Sequence, residues 1–272
     1  MFRADSVGTA LSQNTKSRME DVVVVKLLPN GGGLFAVLDG HNGRLAVDFV
    51  SDRLPRYVVN SIEASDMDIE GALVRAFQRT EEELLVRLTE QVDASPKSTN
   101  SESDPDFPVL TSGVVLCVIL VYRDNIYCAS VGDCRAVMSR NSQPVQLSID
   151  HNISEPPERK RVQELLTREG YVKGLMVTRS LGNVSISTRL KVEGQIATPS
   201  LSSFPIVCDD SFVIIASDGL YEVVSNEVAI STVQRAMKRP SFSPQRVAQE
   251  LVDKAVARGS CDNICVCVVM LQ

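Results

Sequence analysis

Glu20-Asp21-Val22-Val23-Val24-Val25-Lys26-Leu27-Leu28-Pro29-Asn30-Gly31-Gly32-Gly33-Leu34-Phe35-Ala36-Val37-Leu38-Asp39-Gly40-His41 sets two apolar runs on either side of a turn. Each run is of strand length. The Pro-Asn-Gly-Gly-Gly turn between them is too short for a crossover, so the pair reads as an antiparallel hairpin. Carboxylates stand at its strand ends: Glu20-Asp21 before the first strand and Asp39 after the second.

The same arrangement recurs outward along the chain. Further strands are expected at Val114–Tyr122, Asn125–Ser130, Arg135–Ser139, Phe212–Ala216 and Ile264–Leu271, mostly with short connections that favour antiparallel pairing. Helices are expected between the strand groups. In Gly71–Val92 the residues Leu73, Phe77, Leu84 and Leu88 recur at helical spacing. Ser243-Pro244 opens a second helix that Gly259 ends, and Glu158–Glu169 and Asn226–Lys238 complete the set. Runs of strands with segregated helices indicate an α+β domain of layered sheets. Residues 1–272 read as a single domain, because neither an internal repeat nor a linker divides them. Within it, 93–108 is rich in Ser, Asp and Pro and is expected to be a mobile loop. The irregular stretch 174–210 is expected to be a flap-like insert near a site.

Composition limits the function. Apolar residues make up 44% and charged residues 23%, an ordinary globular balance. The net charge of −6 argues against nucleic acid and anionic membranes as partners, and an acidic chain that handles an anion needs cations at its site. The seven cysteines lack any CxxC pair, so they read as reduced, buried thiols. The N-terminus has no basic-then-apolar leader, Phe2 excludes glycine myristoylation, and no apolar run is of membrane-spanning length. A soluble, monomeric, cytoplasmic protein is expected, with nuclear access left open.

Asp218 follows Phe212–Ala216 after Ser217, Asp262 precedes Ile264–Leu271, and Asp133 lies between two short strands. Singly, an Asp-Gly after a strand is most often a turn. As a set, Glu20, Asp39, Asp218 and Asp262 offer the oxygen donors that Mg²⁺ and Mn²⁺ prefer, from rigid strand ends. Gly40 would let its carbonyl approach such a metal without side-chain interference. Only His41 and His151 exist, which leaves no room for a multi-histidine site. His41, two residues beyond Asp39, suits proton donation to a leaving group, with an unperturbed pKa of about 6.5.

Six blocks in order resemble the metal-dependent protein phosphatases, the type 2C serine/threonine phosphatases. They are Met19-Glu20-Asp21, Phe35 to His41, Ser130 to Val137, Val177 to Gly182, Ile215 to Leu220, and Gly259 to Ile264. The resemblance implies two central antiparallel sheets flanked by helices and a metal-dependent hydrolysis of phosphoserine and phosphothreonine in proteins. It implies two Mg²⁺ or Mn²⁺ ions, bridged by Asp39. Asp218 and Asp262 would complete one metal's protein ligands, and Glu20 and the Gly40 carbonyl the other's. Asp133, with Asp218, matches a third and weaker metal site, and Asp21 a nearby supporting acid. His41 would protonate the departing seryl or threonyl oxygen.

The family usually carries an arginine three residues before the Met of Met19-Glu20-Asp21, where this chain has Lys16. Lysine keeps the charge and loses the planar fork that grips phosphate. Lys16, Arg18 and Glu20 alternate along an extended segment, which makes Lys16 the expected phosphate contact and Arg18 its competitor. Asn42 replaces a usual Gly, and Asn183 stands where Asp is common. The competing reading is a catalytically weak homologue that serves as a regulatory binding module.

Overall fold

The computed structural model describes residues 4–29, 31–64, 68–94 and 110–271. Its strands are β1 (Val7–Ser12), β2 (Val22–Leu27), β3 (Gly33–His41), β4 (Gly113–Tyr122), β5 (Asn125–Val131), β6 (Arg135–Arg140), β7 (Gln143–Gln146), β8 (Leu181–Gly182), β9 (Ser200–Pro205), β10 (Asp210–Ala216) and β11 (Ile264–Met270). Its helices are α1 (Leu45–Ala64), α2 (Ile69–Ala94), α3 (Pro156–Val162), α4 (Asp218–Tyr221), α5 (Asn226–Met237) and α6 (Pro244–Ala257). Read from sequence as one domain, the chain divides by its internal contacts into two compact units. The first is Met1–Asp39, Leu116–Ile149 and Ser200–Gln272; the second is Gly40–Val115 and Asp150–Pro199.

The strands form two sheets, one of five in the order β1-β11-β10-β6-β7 and one of six strands that contains β2-β3-β4-β5-β9, with β8 paired to β4. The pairings are antiparallel, as the short connections predict; Val22 stands opposite Leu38 and Leu27 opposite Gly33 across the opening hairpin. In the first unit α5 and α6 bury their apolar faces on the five-stranded sheet. Val233, Val247 and Leu251 share one core with Phe212, Ile214, Val266 and Val268. Every residue of β11 is buried, which places Cys265 and Cys267 out of water on the strand's other face. Burial pushes the Cys267 thiol up to about 12. Five of the seven cysteines are buried as expected, whereas Cys208 and Cys261 are exposed.

The edge of that sheet is closed by a side chain. Gln245, at the start of α6, accepts from the Thr9 N–H at 3.1 Å and donates to the Thr9 carbonyl at 2.6 Å. That occupies a free pair of ladder groups on β1. The approach requires Gly8, because a Cβ there would fall 2.0 Å from the Pro244 carbonyl carbon.

In the second unit α1 packs on α2, whose Leu73, Phe77, Leu84 and Leu88 are buried. Residues 150–199 are mostly irregular and are organised around buried Glu158. Its carboxylate accepts from Arg179 at 2.6 Å, Arg161 at 2.8 Å and the Thr178 hydroxyl at 2.6 Å. Burial alone would raise its pKa; these three partners outweigh burial and hold it down to about 2.

Several elements differ from the expectation. The helix expected over Glu158–Glu169 ends at Val162 and continues only as a tight turn through Leu165. Gly170, with φ of +87°, turns the chain into the Leu166–Val172 bridge and caps no helix. The irregular stretch expected over 174–210 stops at Pro199, and Ser200–Pro205 is a strand paired to β5. Of the loop expected at 93–108, Asp93 and Ala94 close α2, and 95–108 lie outside the described residues. No described helix is long and apolar enough to cross a membrane.

Candidate metal centre

In the first unit the carboxylates are carried by the ends of buried strands and fixed by their sequence neighbours. β10 stops at Ala216; Ser217 is extended and Asp218 begins α4. The Ser217 hydroxyl donates to Asp21 at 2.8 Å and accepts from the Cys265 N–H at 3.1 Å, so one small side chain ties three segments. Asn263 does the same for Glu20: its amide oxygen accepts the Glu20 N–H at 2.8 Å while its nitrogen donates to the Gln13 carbonyl at 2.9 Å. Gly219 is required beside Asp218, since a Cβ there would lie 2.0 Å from the Asn263 carbonyl oxygen. Neither Ser217 nor Asn263 stood out in the sequence as more than part of a motif.

The electrostatics show which acids have been gathered. Asp39 is pushed well above the usual carboxylate range by burial and then by the negative charges of Asp21, Asp218, Asp133 and Asp262. Asp21 is pushed up to about 7, chiefly by burial, against the hydrogen bond from Ser217 and with the charges of Asp218 and Asp262. Asp218 is pushed up to about 6 by burial, Glu222 and Asp262, and a hydrogen bond with Asp39 offsets part of that rise. Its Oδ1 is buried and has no hydrogen-bond partner among the described residues. Lys16 meets this set with its ammonium 2.8 Å from both oxygens of Asp262. That hydrogen bond is the main reason why the Lys16 pKa is raised. Arg18 is exposed and makes no ion pair among the described residues.

Five of the predicted acids, Asp21, Asp39, Asp133, Asp218 and Asp262, therefore act on one another, with Lys16 beside them. Glu20 is positioned through its backbone. Among the described residues no group of three or more His, Cys, Asp or Glu side chains is placed, as it stands, to hold a metal ion. The donor set nevertheless suits a hard divalent cation, because hard cations take carboxylate oxygens. An orphaned buried oxygen on Asp218, among acids that repel one another, calls for positive charge.

Gly40 and His41 belong to the second unit, as the last two residues of β3. Asn42 then takes the left-handed conformation, φ +58°, that the replaced glycine would adopt freely. The His41 Nε2 lies 2.9 Å from Nδ2 and 3.1 Å from Oδ1 of Asn183. Burial lowers the His41 pKa, and the contact with Asn183 opposes that effect.

Three comparisons bear on this geometry. The family model of protein phosphatase 2C matches residues 6–264. A relative from Arabidopsis thaliana named "Probable protein phosphatase 2C 69" is 32% identical over 98% of this chain and 70% of its own length. A rice "Protein kinase and PP2C-like domain-containing protein" is 31% identical over 88% of this chain and 35% of its own length. Across the first four curated relatives the chain spans 35%, 62%, 59% and 58% of their length. The solved serine-threonine phosphatase 2C from Toxoplasma gondii matches with a TM-score of 0.76 at 17% identity, over 98% of this chain and 94% of that one. That likeness shows the fold, an α+β arrangement of two antiparallel sheets flanked by helices.

Proposed function

The chain belongs to the protein phosphatase 2C family, and from that membership we propose that it hydrolyses phosphoserine and phosphothreonine in proteins with the help of two divalent cations. One observation supports the cations: the surrounding acids help to raise the pKa values of Asp39, Asp21 and Asp218, and Asp218 Oδ1 has no partner among the described residues. Asp39 would bridge the two ions, Asp218 and Asp262 would hold the first, and Glu20 with the Gly40 carbonyl the second. Asp133, with Asp218, would serve a weaker third site. Asp21, hydrogen-bonded by Ser217, would stay behind the ligands and shape their charge.

Bound Mg²⁺ or Mn²⁺ would supply an acidified water and offset the charge of the phosphate. The remaining work belongs to side chains. His41 would pass a proton to the departing seryl or threonyl oxygen, which needs no protein nucleophile. Lys16 reaches the acids through Asp262, and it would leave Asp262 to contact the phosphate once metal charge is present. The test is Mn²⁺-dependent hydrolysis of a phosphothreonine peptide, which Asp39→Asn should abolish. Turnover that survives both the substitution and chelation of the metal would refute the proposal.

One observation favours a second reading. Lys16 stands where an arginine fork would grip phosphate, and it is already paired with Asp262. A weak homologue acting as a regulatory binding module would bind Mn²⁺ and phosphopeptide without turnover.

A further inference from the structure

Asn183 is a polar side chain with no solvent exposure, at a corner whose conformation is held from several sides. Its φ is +59°, its N–H donates to the Ser112 carbonyl at 3.2 Å, and its carbonyl accepts from Val192 at 2.9 Å. The corner before it is clamped by a buried ion pair. The Lys191 ammonium meets Glu81 at 2.6 Å and donates to the carbonyls of Ser180 at 2.9 Å and Gly182 at 2.8 Å. Glu81 in turn accepts the Gly182 N–H at 2.8 Å.

The amide of Asn183 has equally fixed surroundings. The Ser180 hydroxyl donates to Oδ1 at 2.7 Å and also lies 3.1 Å from Gln195 Oε1, and Gln195 donates to the Val177 carbonyl. Gly113 leaves the room the amide occupies, since a Cβ there would fall 2.2 Å from Asn183 Oδ1. This chain of polar groups ends on His41 Nε2, at 2.9 Å.

We propose that Asn183 is the positioning residue for His41: its amide fixes the plane of the imidazole and commits Nε2, which leaves Nδ1 to serve the proton of the departing oxygen. The proposal rests on the reading of His41 as proton donor given above. An amide suits the task because the Ser180 hydroxyl on Oδ1 holds its orientation and sets Nδ2 at 2.9 Å from Nε2, without a charge of its own. A ring held by one hydrogen bond and a rigid corner starts close to the geometry that proton transfer needs.

The experiment uses the full chain labelled with ¹⁵N-histidine. With only His41 and His151 present, a His41→Gln sample assigns the signals. Asn183→Gly deletes the amide while tolerating φ +59°, and Asn183→Asp restores an acceptor of the same shape. In the unsubstituted protein the His41 nitrogens should report one tautomer; in Asn183→Gly they should average between two; in Asn183→Asp one state should return. On the phosphothreonine peptide with Mn²⁺, Asn183→Gly should lower kcat by about 10- to 100-fold with KM held within about twofold. Asn183→Asp should recover most of kcat. Gly113→Ala, which crowds the amide without removing it, should lower kcat in the same sense.

Unchanged nitrogen signals in Asn183→Gly would overturn the proposal, as would kcat and KM moving together without rescue by Asn183→Asp. If the unsubstituted protein has no phosphatase activity, the functional reading fails while the nitrogen spectra still decide whether Asn183 orients the ring.

Discussion

Glu158 in the second unit and Asp21 in the first are both nearly inaccessible acids, 4% and 2% exposed. One is held down to about 2 and the other pushed up to about 7. Burial raises both, so the difference lies in what surrounds them. Glu158 is met by two guanidinium groups and a hydroxyl. Asp21 is met by one hydroxyl, by further acids and, more weakly, by the charge of Lys16. The chain has therefore neutralised the first carboxylate from within and met the second group with less counter-charge than it carries. An acid fully served by its own chain is part of the scaffold. A group of acids served only in part is where a further cation is wanted.

The largest expected effect tests the scaffold side. Glu158→Gln leaves Arg161 and Arg179 without their carboxylate, and breaking such a buried pair costs about 3–5 kcal/mol. Urea unfolding should show that loss, while Mn²⁺ binding measured by calorimetry should be unchanged. If the stability is unaltered, the contrast with Asp21 fails.

Acid titration tests the same side. The folded pKa of Glu158 lies below its ordinary 4.5, at about 2. Its stabilisation is therefore complete above about pH 4.5 and disappears as pH falls through about 2. It amounts to at most about 3–4 kcal/mol. The urea midpoint should fall across that window, and the part of the slope that Glu158 supplies should be missing in Glu158→Gln.

The next effects test the partly served group. Lys16→Ala should raise the KM for a phosphothreonine peptide about tenfold, close to 1.4 kcal/mol, whereas Arg18→Ala should leave it unchanged. The reverse result would make Arg18 the phosphate contact. Smallest of all, Asp218→Asn should stabilise the metal-free protein, by roughly 0.5–2 kcal/mol, because it removes one repelling charge. The same substitution should abolish the rise in melting temperature on adding Mn²⁺. A metal-free protein made weaker by Asp218→Asn would mean that these acids are structural partners after all.

The sequence made the apolar framework legible wherever burial imposed a clear period. The β2–β3 hairpin and β4, β10 and β11 are runs of Val, Ile, Leu and Cys, and each lies within a few residues of its expected span. β9 escaped because Ser200-Leu201-Ser202-Ser203-Phe204-Pro205 has no apolar run; Ser202 is held by donating to the Leu147 carbonyl at 2.6 Å. α1 escaped because Pro55 sits in its interior, where proline normally breaks a helix. Packing outweighs that penalty, with Val47, Val50, Leu54, Val58 and Ile62 all buried. The acids were legible because they follow or precede such runs. Asn183 registered only as a departure from a family pattern, because its contacts join residues far apart in sequence: 113, 180 and 41.

The pairing of β1 with β11, which sets Val7 opposite Val269, has a consequence for how the chain is made. On a ribosome the strand that emerges early waits for one synthesised near the end of this sequence, and meanwhile exposes its ladder groups and Ala10, which the finished fold buries. Such distant pairing slows folding and favours attachment to chaperones or to other nascent chains. It also makes the distal segment a poor place for a frameshift or premature stop. Loss of the last strand removes the partner that joins β1 to β10 and so detaches the sheet's first strand as well.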